Sequence, residues 1–194
     1  MKNFYTFFKH SPFLDLFELF CYNTSKKSLK QGGITIKLYL KQKVFSWGDR
    51  FTVKDSQGRD RYFAEGEVFS FGKKLHIYDS THNEKAFIKQ EMLTWMPRYN
   101  VFVGGHQVAQ VVKKLGLLPQ YAIDGPGWDV EGDFFAHEYQ IHKSGRIIAT
   151  IRKEWMSWGD SYELNISDGI DEVMALAVVL AIDAVIESSR NNRS

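Results

Sequence analysis

Between Lys37 and Ile166, apolar residues recur at alternate positions in short runs separated by glycine, asparagine, aspartate and serine. A period of two is the mark of half-buried strands. In Lys37-Leu38-Tyr39-Leu40-Lys41-Gln42-Lys43-Val44, Leu38, Leu40 and Val44 share one face, and Lys37, Lys41 and Lys43 share the other. A unit then repeats: an aromatic or apolar residue, Val or Ile two positions on, a turn, and a return through Ala. Phe51-x-Val53-x-Asp55 turns at Ser56-Gln57-Gly58 and reaches Ala64. Leu75-x-Ile77-x-Asp79 turns near His82-Asn83 and reaches Ala86-x-Ile88. Tyr99-x-Val101-x-Val103 turns at Gly104-Gly105 and reaches Ala109-x-Val111, and Tyr139-x-Ile141 turns at Ser144-Gly145 and reaches Ala149-x-Ile151. Tyr121-x-Ile123, turning at Asp124-Gly125 and returning through Trp128-x-Val130, is a variant copy, and Tyr162-x-Leu164-x-Ile166 is a last strand. Units spaced by one hairpin predict a closed all-β array of about twelve strands.

After Ile166 the period changes. Every residue from Val173 to Ile182 is apolar, inside a run from Ile170 to Ile186. Asp168 reads as the N-cap, with Asp171 three positions later, and Asp171 and Glu172 suit the positive end of a helix dipole. A helix apolar all round is a membrane span or is fully buried, and this run falls short of the ~18–20 residues a span needs. Twelve strands ~4.8 Å apart and tilted ~40° enclose a barrel about 24 Å across, which puts an axial helix ~12 Å from the wall. The predicted fold is therefore mainly β, an antiparallel closed barrel of about twelve strands around a buried hydrophobic C-terminal α-helix. Asp183 falls about 22 Å along the helix from Asp168, beyond a wall about 18 Å high, so it is expected near the mouth and partly wetted.

Residues 1 to about 33 break the pattern, with Phe4, Phe7, Phe8, Phe13, Phe17 and Phe20 crowded together ahead of a polar linker, Asn23–Gln31. The expected division is an N-terminal extension over 1–35, outside the fold, and a barrel domain over 36–190. The extension reads either as an interface-seeking amphipathic helix or as an appended start. Lys30-Gln31-Gly32-Gly33, encodable by a purine run like a bacterial ribosome-binding site, favours the second. A net charge of +2 does not announce a nucleic-acid binder, and a single cysteine, Cys21, forbids an internal disulfide and fits a reducing cytoplasm. Lys9, His10, Asp15 and Glu18 interrupt the one N-terminal apolar stretch, so no cleavable signal is read.

Candidate chemistry is sparse. Asp129, Glu131 and Asp133 project to one side of a strand, which suits calcium, but without an EF-hand spacing they read as a solvated face. His137, Glu138 and His142 lack a cysteine partner and a helical HExxH, and on a strand the two histidines fall on opposite faces, so no metal is expected. Ser46-Trp47-Gly48-Asp49 recurs as Ser157-Trp158-Gly159-Asp160, read as Gly-Asp turns whose tryptophans plug the barrel ends. Ser161, Ser167 and Cys21 show no nucleophile elbow or triad, and no P-loop or dinucleotide fingerprint is present. No catalytic residue and no cofactor are expected.

Leu38-Tyr39-Leu40-Lys41-Gln42-Lys43-Val44-Phe45-Ser46, Trp128-Asp129-Val130-Glu131-Gly132-Asp133-Phe134 and the terminal apolar helix together resemble the LURP-one-related family. That family lies in the Tubby C-terminal-like group, which also holds the phospholipid scramblases. The resemblance runs from about Lys37 to Ile186 and implies a twelve-stranded barrel around a central C-terminal helix. Tubby proteins bind phosphoinositide head groups and scramblases act at membranes with calcium, although fold alone carries neither activity over. The functional expectation is a cytoplasmic, non-enzymatic scaffold, peripheral at the membrane, that binds anionic phospholipid through Lys37, Lys41, Lys43, Arg59 and Arg61. The runner-up readings are an enzyme with a surface cleft and a protein- or DNA-binding regulator.

Overall fold

The computed structural model describes residues 35–41, 50–67, 70–116, 120–134, 136–156 and 159–191. Twelve strands follow one another: β1 (Thr35–Lys41), β2 (Arg50–Asp55), β3 (Asp60–Gly66), β4 (Lys74–Asp79), β5 (Glu84–Gln90), β6 (Arg98–Val103), β7 (His106–Lys114), β8 (Gln120–Asp124), β9 (Trp128–Asp133), β10 (Glu138–Lys143), β11 (Arg146–Met156) and β12 (Gly159–Ser167). Each pairs antiparallel with the next, and β1 returns to β12 from Thr35↔Ser167 to Lys41↔Ser161, closing the barrel. Closure removes every sheet edge. The predicted repeat has a structural counterpart. In β2–β3, β4–β5, β6–β7 and β10–β11 the register shifts just after Val53, Ile77, Val101 and Ile141, the second apolar residue of each unit. Such a bulge adds one residue to one strand and sharpens its twist, so four hairpins bend into the wall by the same device. The variant copy differs: β8 and β9 pair only at Ile123↔Trp128.

The helix α1 (Glu172–Asn191) fills the interior. Ala175 to Val178, Leu180 to Ile182 and Val185 are fully buried, and Val179 is 2% exposed, so consecutive residues all meet protein. The helix packs most closely against β5, β6 and β7. Two expectations need correction. The N-cap is Asp171, not Asp168: Asp171 Oδ1 accepts the Met174 N–H at 2.8 Å, while Ser167 to Ile170 form a tight turn with Gly169 at φ +76°. Asp183 is only 7% exposed, not wetted at a mouth. The helix begins three residues later than expected and so sits deeper, and β11 and β12 extend for 11 and 9 residues, longer than the assumed wall.

Candidate functional site

Strand direction alternates, so connections after even-numbered strands gather at one end and those after odd-numbered strands at the other. The first end holds the start of α1, tied down where Arg61 on β3 donates two hydrogen bonds to Glu172 at 3.0 and 3.1 Å. Its turns take two to four residues. In two of them an aspartate does the same work. Asp55 Oδ1 accepts the N–H groups of Gln57 and Arg59, and Asp79 Oδ1 accepts those of Thr81 and Asn83. Hydrogen bonds from the Thr81 hydroxyl, then from Asn83 and the Thr81 amide, hold the Asp79 carboxyl at about 2. Desolvation pushes Asp55 upward, but its bonds from Arg59 and Gln57 outweigh that and leave it lowered.

The other end receives the last turns of α1. There the Tyr99 hydroxyl lies 2.7 Å from Ser188 Oγ, and burial pushes the Tyr99 phenol well up. The connections β3–β4 and β5–β6 each take seven residues and β7–β8 takes five. Their tips carry large apolar side chains in solvent: Phe71 is 81% exposed, Leu93 98%, Trp95 92% and Leu115 79%. These loops are neighbours on one rim. Lys73 N–H donates to the Gln90 side chain, Lys113 N–H to Pro97 O, and Met92 Sδ lies 2.7 Å from where a Cβ on Gly72 would stand. Below the tips, Lys89, Arg98 and Lys114 take outward positions on β5, β6 and β7. Lys89 opposes Asn100, Arg98 lies two residues from Asn100 and opposes Val112, and Lys114 lies two residues beyond Val112. Among the described residues none of the three has an ion pair. On this face Glu91 accepts from Gln110 Nε2 at 3.0 Å.

The basic residues read from the sequence are differently placed. Lys37 meets Glu163 of β12 at 3.3 Å, Arg59 meets Asp55 at 2.8 Å, and Arg61 is committed to Glu172. Each has its own carboxylate on a different element. The side chain of Lys41 and the whole of Lys43 lie outside the described residues, as do Cys21, residues 1–34 with their phenylalanines, and the tryptophans of both Ser-Trp-Gly-Asp copies. The second Gly-Asp is not a turn: Gly159 and Asp160 open β12, paired with Met156 and Trp155.

Other candidates settle into local roles. Asp129, Glu131 and Asp133 are exposed along β9, and His142 Nε2 lies 3.0 Å from Glu131. His137 is not on a strand but in the β9–β10 turn at φ +55°, its ring stacked on Tyr162 at 4.5 Å. It brings Nδ1 within 3.3 Å of Asp183 Oδ1, without the geometry of a hydrogen bond. Burial, and then Asp183, push the Tyr139 phenol well above its usual range, which keeps its O–H as a donor to Asp183 at 3.5 Å. Ser161 is fully buried, and Ser167 donates to Ile147 O. On the outer wall a shallow hollow of about 240 Å³ is lined by Glu84, Lys85, Phe87, Phe102 and Gly104 among others, with no nucleophile beside a base. Among the described residues no helix is long and apolar enough to cross a membrane.

A family model described as LURP-one-related matches residues 36–183. The uncharacterized protein YxjI of Bacillus subtilis is 34% identical over 152 residues, covering 78% of this chain and 94% of its own. The crystal structure of a protein from Arabidopsis thaliana superposes with a TM-score of 0.60 at 15% identity, covering 79% of this chain and 93% of that one, a likeness of fold alone. With three quarters of its length matched, and with the helix-filled twelve-stranded barrel, the chain belongs to the LURP-one-related family.

Proposed function

We propose that this protein is a binding scaffold rather than an enzyme, and that its ligand is the anionic head group of phospholipid at a membrane it visits peripherally. The observation that carries this reading is the trio Lys89, Arg98 and Lys114, cations on one outward face with no ion-pair partner among the described residues. A helix packed wall to wall leaves binding to the outer surface. Unpaired surface cations attract anionic lipid at about 1 kcal/mol each. Lys37, Lys41, Lys43, Arg59 and Arg61 belong to the proposal as a weaker, supporting field, because Lys37, Arg59 and Arg61 already face carboxylates.

The test is co-sedimentation of the full chain with phosphatidylcholine vesicles, with and without phosphatidylserine. Binding is expected only with the anionic lipid, and it should fade as added salt shortens the screening length from about 10 Å at 0.1 M to about 3 Å at 1 M. A protein that ignores phosphatidylserine vesicles at low salt would end the lipid reading. Replacing Lys37 and Arg61 by Gln should weaken binding less than replacing Lys89 and Lys114.

A further inference from the structure

The loop end of the barrel has two properties that rarely coincide by chance. Leu93 and Trp95 stand almost wholly in water, and Phe71 and Leu115 are exposed on the neighbouring loops of the same rim. Large apolar side chains exposed together on one rim mark an interaction surface. The second property is charge. The stretches 67–74, 89–98 and 113–120, which carry these tips, hold Lys73, Lys74, Lys89, Arg98, Lys113 and Lys114 against Glu67 and Glu91. An apolar tip ringed by surplus positive charge complements a bilayer, whose anionic head groups lie immediately above hydrocarbon. Trp is the residue most at home at that boundary, with an apolar body and one N–H for the wet side.

Resting on the lipid reading above, we propose that the protein docks end-on, with Leu93 and Trp95 at the leading tip and Phe71 and Leu115 beside them inserted among the acyl chains of a phosphatidylserine-containing bilayer, and Lys89, Arg98 and Lys114 at head-group level. The opposite end reinforces the orientation. Counted from the last residue of one element to the first of the next, its connections carry eight carboxylates and three cations, so an anionic surface repels it. The tip residues bury little in the free protein, so changing them leaves the barrel intact.

The experiment uses the full chain and vesicles of phosphatidylcholine with phosphatidylserine, some made with brominated acyl chains that quench nearby tryptophan. In the wild type a fraction of the emission should be quenched, and Trp95→Phe should remove that fraction although the chain keeps its other four tryptophans. Leu93→Asp should weaken binding roughly tenfold to a hundredfold, the value of burying one leucine. Lys89→Gln with Lys114→Gln should weaken it about thirtyfold. If the wild type binds anionic vesicles but Trp95→Phe leaves the quenching unchanged and Leu93→Asp binds normally, end-on docking is wrong while the lipid reading stands. If the wild type does not bind at all, both fall. Leu93-dependent self-association in light scattering, without vesicle binding, would instead make the tip an interface between copies and overturn the proposal.

Discussion

At one end of the barrel the chain turns in two to four residues, aspartates accept the turn amides, and the connections hold eight carboxylates against three cations. At the other, counted over the described residues, they hold six cations against four carboxylates, and the loops β3–β4, β5–β6 and β7–β8 raise Phe71, Leu93, Trp95 and Leu115 into water. The first end closes the fold with short turns of favoured chemistry. The second keeps long connections and apolar tips that contribute nothing to the core. Among the described residues, the long loops and the exposed large apolar side chains lie at the pole where the proposed ligand would bind.

That contrast makes predictions. The largest concerns the rod between the two poles. Val178→Asp and Val179→Asp should each cost about 3–5 kcal/mol, out of a typical total of about 5–15, because both side chains are sealed in the wall. Urea denaturation reads both, and a mild loss at either would mean that α1 has a wet side. Next in size, Asp171→Ala at the tight pole should cost about 1 kcal/mol by stripping the cap from α1. Leu93→Asp at the loop pole should stay within about 0.5 kcal/mol. A reversed order in thermal melts would break the division of labour between the poles.

A finer test uses acid. The Asp79 carboxyl is held at about 2, below its ordinary 3.8, so it binds fewer protons folded than unfolded. Its contribution is therefore complete above pH ~4 and disappears as the pH falls through about 2. Wild type and Asp79→Asn should differ in melting temperature at neutral pH and converge near pH 2, whereas Leu93→Asp is expected to show no such convergence. The smallest expected effect is none. A chain beginning at Ile34 should melt at the wild-type temperature, and a large drop would place residues 1–33 within the folding unit.

The fold was readable because period and turn chemistry are local. Val53, Ile77, Val101 and Ile141 mark the inward residue just before each bulge, and the spacing of their units reports the hairpin length directly. The helix was readable because no polar face exists from Val173 to Ile182. What pairs with what across the barrel is not local. Nothing near Lys37 announces Glu163, and nothing near Arg61 announces Glu172, so neither ion pair can be read from the sequence. The loop tips did leave a signal. Met92-Leu93-Thr94-Trp95-Met96-Pro97 is apolar where a connection between strands should be polar, but which loops share a rim becomes visible only with the strand order. Asp183 was misplaced for a related reason. Wall height depends on how far β11 and β12 outrun an average strand, which alternation does not limit.

The closing seam between β1 and β12 also governs how the protein comes into being. The contact of Lys37 with Glu163 spans 126 residues, and α1, around which the wall packs, emerges after every strand. At the ~5–20 residues per second of synthesis, β1 waits roughly 6–25 s for its partner, its inward Leu38 and Leu40 without a core. Contacts so distant in sequence make folding slow, since loop closure must be achieved before pairing can reward it. Until β12 arrives the growing sheet has two unpaired edges, and its safety during birth depends on reaching closure before those edges find another chain.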